Sequence, residues 1–475
     1  MLKRFLTPLL VSALLSSGCT PSGTNPESCE ALPPSVLARL EPFVTERLEA
    51  EHVTGLSLVI IQEGRTVCLK GYGLANLETN EPMTTKTRMS IGSTTKAMTA
   101  LALMQQVEAG KVDLEAPVTR YLPWFRTADG LQEQILLKHL LTHSSGLPRS
   151  LVWEGSHDEG AIERRVRSLA DVKLRFPPGQ GYEYSNDGFT VLGLIVQTVA
   201  GKPYARYMED SVFTPLGMTH TLLDPASTQG PDMAQAYVWT RGQLYQRAPP
   251  TSGMHSPAGT VTYSSAEDVA RYLSALLAGG EGVNGRVLST QGLERMWQPL
   301  VLPHSGMGWE LSEASGRRRV SHEGNTATGS SMFLMFPAER TAVAVLDNRN
   351  SRISNHVAEG VAALLFGEEP PPVTPSQERP ASTFVPDPQV WQDYVGSFDT
   401  AVGRVDITVE GEHLWATFGM GVPSIRAELE AYGDNDFVLR DEYAVFEGKT
   451  MSFRHEPDGR LGMLFQGQPI GQRVP

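Results

Sequence analysis

The stretch Met89-Ser90-Ile91-Gly92-Ser93-Thr94-Thr95-Lys96-Ala97-Met98 decides how the rest of the chain is read. Ser93 and Lys96 stand three residues apart, and an apolar helical pattern follows through Met98, Leu101, Ala102, Met104 and Val107. On a helix this spacing puts both side chains on one face, a turn apart. A serine hydroxyl is a weak nucleophile until a neighbouring base takes its proton, and a lysine kept neutral by burial is such a base. With Ser93 in the first turn, the helix also offers free backbone N–H groups and a positive dipole end to a developing oxyanion. The same pair also fits an ordinary surface helix, so the choice rests on what else the chain supplies.

A chain of 475 residues is long enough for two folded units and a linker. Apolar content of 40 % and charged content of 20 % describe an ordinary globular protein. The net charge of −13 argues against nucleic acid as a partner, because phosphates would be repelled. Lys3 and Arg4, the apolar run Phe5 to Leu15 and the small residues Ser16-Ser17-Gly18 read as an export signal over 1–18. Beyond it no stretch is long and apolar enough to span a bilayer. Ser16-Ser17-Gly18-Cys19 resembles a bacterial lipobox, although Leu15 sits one place further from the cysteine than that pattern asks. The expectation is an exported protein, periplasmic or in the cell envelope, touching the membrane only through a lipid on Cys19. Two cysteines then remain, Cys29 and Cys68, and the sequence leaves open whether they are bridged or are separate thiols.

Residues 19–33 read as a Pro/Ser/Gly-rich tether. Val36, Leu37, Leu40, Phe43, Val44 and Leu48 recur at helical spacing, with Pro42 as a blemish. Leu56 to Ile61, a turn at Glu63-Gly64 and Thr66 to Lys70 predict a hairpin. The Ser93 helix follows, then a helical and loop-rich region, a helix with Val191, Leu192, Leu194, Ile195 and Val199 ending at Gly201, and another from Ala266 to Leu277. Strand-like runs return at Arg319 to His322, Met332 to Phe336 and Thr341 to Leu346, before a helix from Val357 to Phe366. These elements make up a unit over 34–367. Residues 368–388 are dense in proline and read as a linker. In 389–475, alternating runs such as Val405-Ile407-Val409 and Leu414-Ala416-Phe418, with a strand also expected at Tyr443 to Phe446, predict a small antiparallel sheet or barrel.

Two further stretches complete a chemical set. Tyr184-Ser185-Asn186 lies in a loop, where extended backbone turns alternate residues to one side. A phenol there can relay a proton, and an amide can hold a substrate carbonyl. His322-Glu323-Gly324-Asn325 follows a strand-like run. Gly324 would let a substrate approach closely, and the Asn325 N–H would be a second oxyanion donor.

In this order, S-x-x-K, Y-x-N and H-x-G resemble the serine β-lactamase and penicillin-binding-protein superfamily. The likeness is to the branch that groups class C β-lactamases with D,D-carboxypeptidases, D-aminopeptidases and esterases. Leu137 to Leu147, Pro257-Ala258-Gly259 and Gly306-Met307-Gly308-Trp309 add to the likeness, which covers roughly residues 35 to 366. The resemblance implies an α+β fold: a five-stranded antiparallel sheet flanked by the terminal helices, with a helical subdomain inserted. Residues 390 to 475 resemble a lipocalin-like β-barrel. It also implies roles: Ser93 acylated, Lys96 the base, Tyr184 the proton shuttle, Asn186 orienting substrate, and the Ser93 and Asn325 amides forming the oxyanion hole. Whether lysine or tyrosine is the base stays open. His322 stands where class C β-lactamases carry lysine, and a histidine is charged only when protonated. That substitution points away from a dedicated β-lactamase and towards D-amino-acid or peptidoglycan-derived peptides, with esterase or weak β-lactamase activity as alternatives.

No cofactor is expected. His139 and His143, four apart on an expected helix, lack the glutamate of a zincin pattern, so no metal is expected either. The partner implied is a small-molecule or peptide substrate. A non-catalytic cell-surface binding protein is the alternative of another class, but it would have no need of a matched nucleophile and base. Oligomeric state is not legible.

Overall fold

The computed structural model describes residues 28–149, 158–223, 232–240, 243–247, 262–326, 328–349, 351–372, 384, 388–400, 403–419, 425–441, 449–456 and 459–474. Helix α1, Pro34–Ala50, opens the first unit with Pro34 at its first turn and runs on through Pro42. An interior proline costs a helix about 3 kcal/mol. Here Leu40, Phe43 and Val44 on either side of it are buried in a core and hold the helix in place.

Strands β1, Gly55–Gln62, and β2, Arg65–Asn76, form the expected hairpin. Its two-residue turn places Glu63 and Gly64 at φ 53° and 76°. That left-handed pair matches the strand twist, and glycine adopts it without steric cost. A two-residue strand β3, Glu81–Pro82, follows, then helices α2, Thr95–Glu108, α3, Asn186–Ala200, and α4, Ala266–Leu277. Ser265 caps α4 by accepting from Asp268 N–H, and α3 ends at Gly201 in the left-handed region. Strands β4, Glu310–Ala314, β5, Arg317–Thr326, β6, Gly329–Phe336, and β7, Thr341–Asp347, return before helix α5, Ile353–Leu365.

The sheet order is β4-β5-β6-β7-β1-β2-β3, with antiparallel neighbours. The sheet thus has seven strands, two more than expected: the five central strands are flanked by β4 and β3. Both additions are edge strands with mostly exposed, polar residues, so neither leaves an apolar alternation in the sequence. Strands β1, β6 and β7 are buried on both faces, which is why they read as unbroken apolar runs. Leu58, Ile60, Val343 and Val345 pack with α1 and α5. Val59, Ile61, Ala342 and Ala344 face the other way, into the core shared with α2, α3 and α4.

Cys29 and Cys68 form a disulfide, which settles the open pairing. The C-terminal unit is a closed eight-stranded antiparallel barrel from Gly396–Thr400 to Gln468–Arg473 around its own core, including Phe398, Phe418, Phe437 and Phe453. The strand expected at Tyr443 to Phe446 lies outside the described residues, as do Cys19, Pro257-Ala258-Gly259 and most of the Pro-rich linker. Among the described residues no helix is long and apolar enough to cross a membrane.

Candidate active site

Ser93 lies in a 3₁₀ turn, Gly92–Thr94, that runs directly into α2. Backbone N–H groups in a first turn have no intrahelical acceptor, so this turn points donors outward. The turn itself is tied down. Ile91 N–H donates to Thr262 O at 2.9 Å, and Ile91 O accepts from Thr94 Oγ1 and Ser331 Oγ, each at 2.7 Å. Strand β5 passes against it, and a Cβ added to Gly324 would stand 2.1 Å from Ile91 O. Gly324 therefore allows close contact between the strand and the turn that carries Ser93. The same contact brings Asn325 N to 3.1 Å from where a Cβ on Gly92 would be, beside the turn that carries the Ser93 amide.

Lys96 is 0 % exposed. Its Nζ lies 3.1 Å from Ser93 Oγ, donates to Asn186 Oδ1 at 2.8 Å and sits 4.7 Å from the centroid of the Tyr184 ring. Burial, and next the positive charge of Arg149, hold its pKa well below the ordinary lysine value. Tyr184 shifts the other way: burial raises it, opposed by its hydrogen bond with the Ser93 side chain and by Arg149. The Ser93 hydroxyl is thus met by a neutral amine and a neutral phenol. An amine lone pair can accept the serine proton, whereas the phenol has a proton to give.

The Tyr184–Asn186 segment is placed by a helix start. Ser185 is the N-cap of α3, with extended backbone (φ −132°, ψ 120°) and a side chain accepting from Gly188 N–H at 3.2 Å. Extended backbone at the middle residue turns its two neighbours to one side, which brings Tyr184 and Asn186 to Lys96. Asp187, next in line, makes a two-pronged ion pair with Arg165 at 2.8 and 2.7 Å, almost out of solvent.

His143 is a member of this site that sequence reasoning did not place there. Its Nδ1 accepts from Ser185 N–H at 3.1 Å, and its ring centroid lies 4.3 Å from that of Tyr184. Burial above all holds it well below its usual pKa, hence neutral. The expectation that His139 and His143 share a helix face does not hold. The helix spans only Leu137–Leu141, and His143 lies beyond it at φ 55°. His139 Nδ1 instead accepts from Leu136 N–H at 3.2 Å. No periodicity marks such a loop histidine, because its role comes from what the fold stacks against it.

His322 is 3 % exposed, and its Nδ1–H donates to Glu323 O at 2.7 Å. Burial above all presses its pKa down to about 3, so it carries no charge at neutral pH. It forms part of the wall of a cavity of about 480 Å³ with Tyr182, Tyr184, His304, Trp309 and Glu310. Among the described residues no cluster of His, Cys, Asp or Glu is arranged to hold a metal ion.

The beta-lactamase family model matches residues 40–368. Protein flp of Staphylococcus aureus is 26 % identical over 319 residues, covering 66 % of this chain and 63 % of flp, so the chain spans rather less than two thirds of that relative. Esterase EstB of Burkholderia gladioli is 35 % identical over 200 residues, covering 39 % of this chain and 50 % of EstB. Among solved structures, the octameric penicillin-binding protein homologue from Pyrococcus abyssi aligns with TM-score 0.61 at 24 % identity, over 92 % of this chain and 99 % of that one. EstCE1, a hydrolase with promiscuous acyltransferase activity, aligns with TM-score 0.59 at 24 % identity, over 70 % of this chain and 99 % of that one. At those identities the structures speak for the fold alone. The family model spans more than half of the chain and contains Ser93, Lys96, Tyr184 and His322, and the chain belongs to the beta-lactamase family.

Proposed function

We propose that this protein is an exported serine hydrolase that passes the acyl group of small esters or amides through Ser93 to water. The observation that carries this reading is the buried, neutral Lys96 amine 3.1 Å from Ser93 Oγ. In the proposed cycle Lys96 takes the serine proton as Oγ attacks the carbonyl, and the Ser93 and Asn325 amides hold the oxyanion. Tyr184 gives its proton to the leaving group, Asn186 orients the substrate, and water then attacks the acyl-enzyme by the reverse proton path.

Esters are the first substrate class. An uncharged His322 gives no fixed positive charge to the carboxylate of a penicillin or a D,D-dipeptide, and EstB is named as an esterase. D-amino-acid or peptidoglycan-derived peptides are the second reading, carried by the histidine in the H-x-G position. The signal at 1–18 and Cys19 support export and lipid anchoring, and loss of membrane association in Cys19→Ala would test the anchor.

Intact-mass spectrometry after a fluorophosphonate tests the chemistry. A single adduct mapped to Ser93, absent from Ser93→Ala, is the expected result. No adduct on folded protein overturns the hydrolase reading in favour of a non-catalytic binding protein. Turnover of p-nitrophenyl butyrate well above that of a D-alanyl-D-alanine peptide or penicillin would fit the ester preference, and the reverse order would replace it with the peptide reading.

A further inference from the structure

The cavity beside Tyr184 has a charge pattern that the acyl-transfer chemistry does not use. Two formal charges line it, Glu310 and Arg319. The Arg319 guanidinium stands close enough to Glu310 to act on its charge, but it is held by Glu359, donating to Oε1 at 2.9 Å. Glu310, exposed at the start of β4, has no ion-pair partner among the described residues. Its charge reaches the phenols of both Tyr182 and Tyr184, where the Arg149 charge opposes it. The histidine deepest in the wall, His322, is neutral. Arg149 lies with its guanidinium carbon 5.5 Å from the Tyr184 ring centroid but does not line the cavity. Aromatic surface makes up much of the rest: Trp309 is buried in the wall, and Tyr182 stands at the rim, 43 % exposed, edge-on to His304. A carboxylate among aromatic walls, its neighbouring Arg319 already paired with Glu359, attracts a cation and repels an anion.

We infer that this cavity is a specificity subsite for a cationic group, so that the preferred substrates are esters or amides bearing an ammonium or guanidinium group beyond the scissile bond. The inference rests on Ser93 being the reacting centre, since only then does the cavity receive part of a substrate. It differs from a carboxylate-reading site in sign, and Glu310 is the specificity-determining residue. A carboxylate-bearing substrate would meet the Glu310 charge, while the Arg319 guanidinium in the wall is held by Glu359.

Binding is measured by calorimetry on Ser93→Ala protein, which needs no turnover, with benzyltrimethylammonium, benzyl alcohol and phenylacetate as probes. Benzyltrimethylammonium is expected to bind at least about ten-fold more tightly than phenylacetate, since Glu310 attracts the first and repels the second. In the Glu310→Gln background the cation is expected to lose most of that advantage, while an unchanged unfolding midpoint shows that the fold is kept. Equal binding of the three probes, tighter binding of phenylacetate, or a preference untouched by Glu310→Gln overturns the subsite. A failed fluorophosphonate adduct with charge preference intact would instead count against the hydrolase reading alone.

Discussion

The chemistry of this site turns on one proton, and Lys96 shows how the fold controls it. A lysine in water keeps its proton up to roughly pH 10. Full burial next to Arg149 removes that preference. The sign follows: protonation disables the amine as a base, so activity falls only as pH drops through a pKa well below the ordinary one. kcat/KM for a neutral ester is expected to hold a plateau across neutral pH with a single acid limb, whereas a profile rising only near pH 10 would refute a neutral amine. Lys96→Met keeps the apolar stem and loses the lone pair, and is expected to cost about 10²–10⁴-fold in kcat. Asp347 is a second buried acid, and burial raises its pKa to about 7. The unfolded chain would release this proton near pH 4. Stability is therefore lost as pH rises from about 4 to about 7, and is flat beyond. Thermal melts of Asp347→Asn are expected to show a gain at pH 8 that fades towards pH 4. Ser93, Lys96, Tyr184 and Asn186 were legible in the sequence, because short spacings on a helix turn or an extended segment fix which side chains meet. His143 and Glu310 were not, since each reaches the site through packing between segments far apart in the chain.

At the scale of elements, the Tyr184–Asn186 segment depends on the start of α3 and on the Arg165–Asp187 pair beside it. Removing one partner of a nearly buried pair leaves the other without compensation, which costs about 3–5 kcal/mol. Arg165→Ala is expected to lower stability by that order and to reduce kcat through displacement of Asn186. An Arg165→Met, Asp187→Leu double variant should recover much of the stability, and chemical denaturation separates the two. The central strands and the long helices were readable because burial imposes period and composition on them. Strands β3 and β4 escaped because they are short, polar and exposed at the edges of the sheet. Pro42 misleads in the opposite sense, since the core around α1 overrides a local preference.

For the whole molecule, the Cys29–Cys68 bridge joins the segment before α1 to β2 across 39 residues of chain. Closing a loop of that length restricts the unfolded state by about 4 kcal/mol on the chain-entropy account. Calorimetry with and without a thiol-free reductant is expected to show a melting temperature several degrees lower once the bridge is reduced. No change would mean that the bridge constrains nothing the unfolded chain samples. The sequence named both cysteines but not their partnership, because proximity in the hairpin and the N-terminal segment exists only after folding.

The closed C-terminal barrel has a consequence for crowded surroundings. Among the described residues each of its eight strands has a paired neighbour on both sides, so the barrel offers no open edge strand as a template for another chain. Self-association by strand addition, the route by which many β-rich proteins nucleate fibrils, is shut for this unit. Among the described residues, side-chain surfaces and strand-connecting loops are what this unit presents to a neighbour.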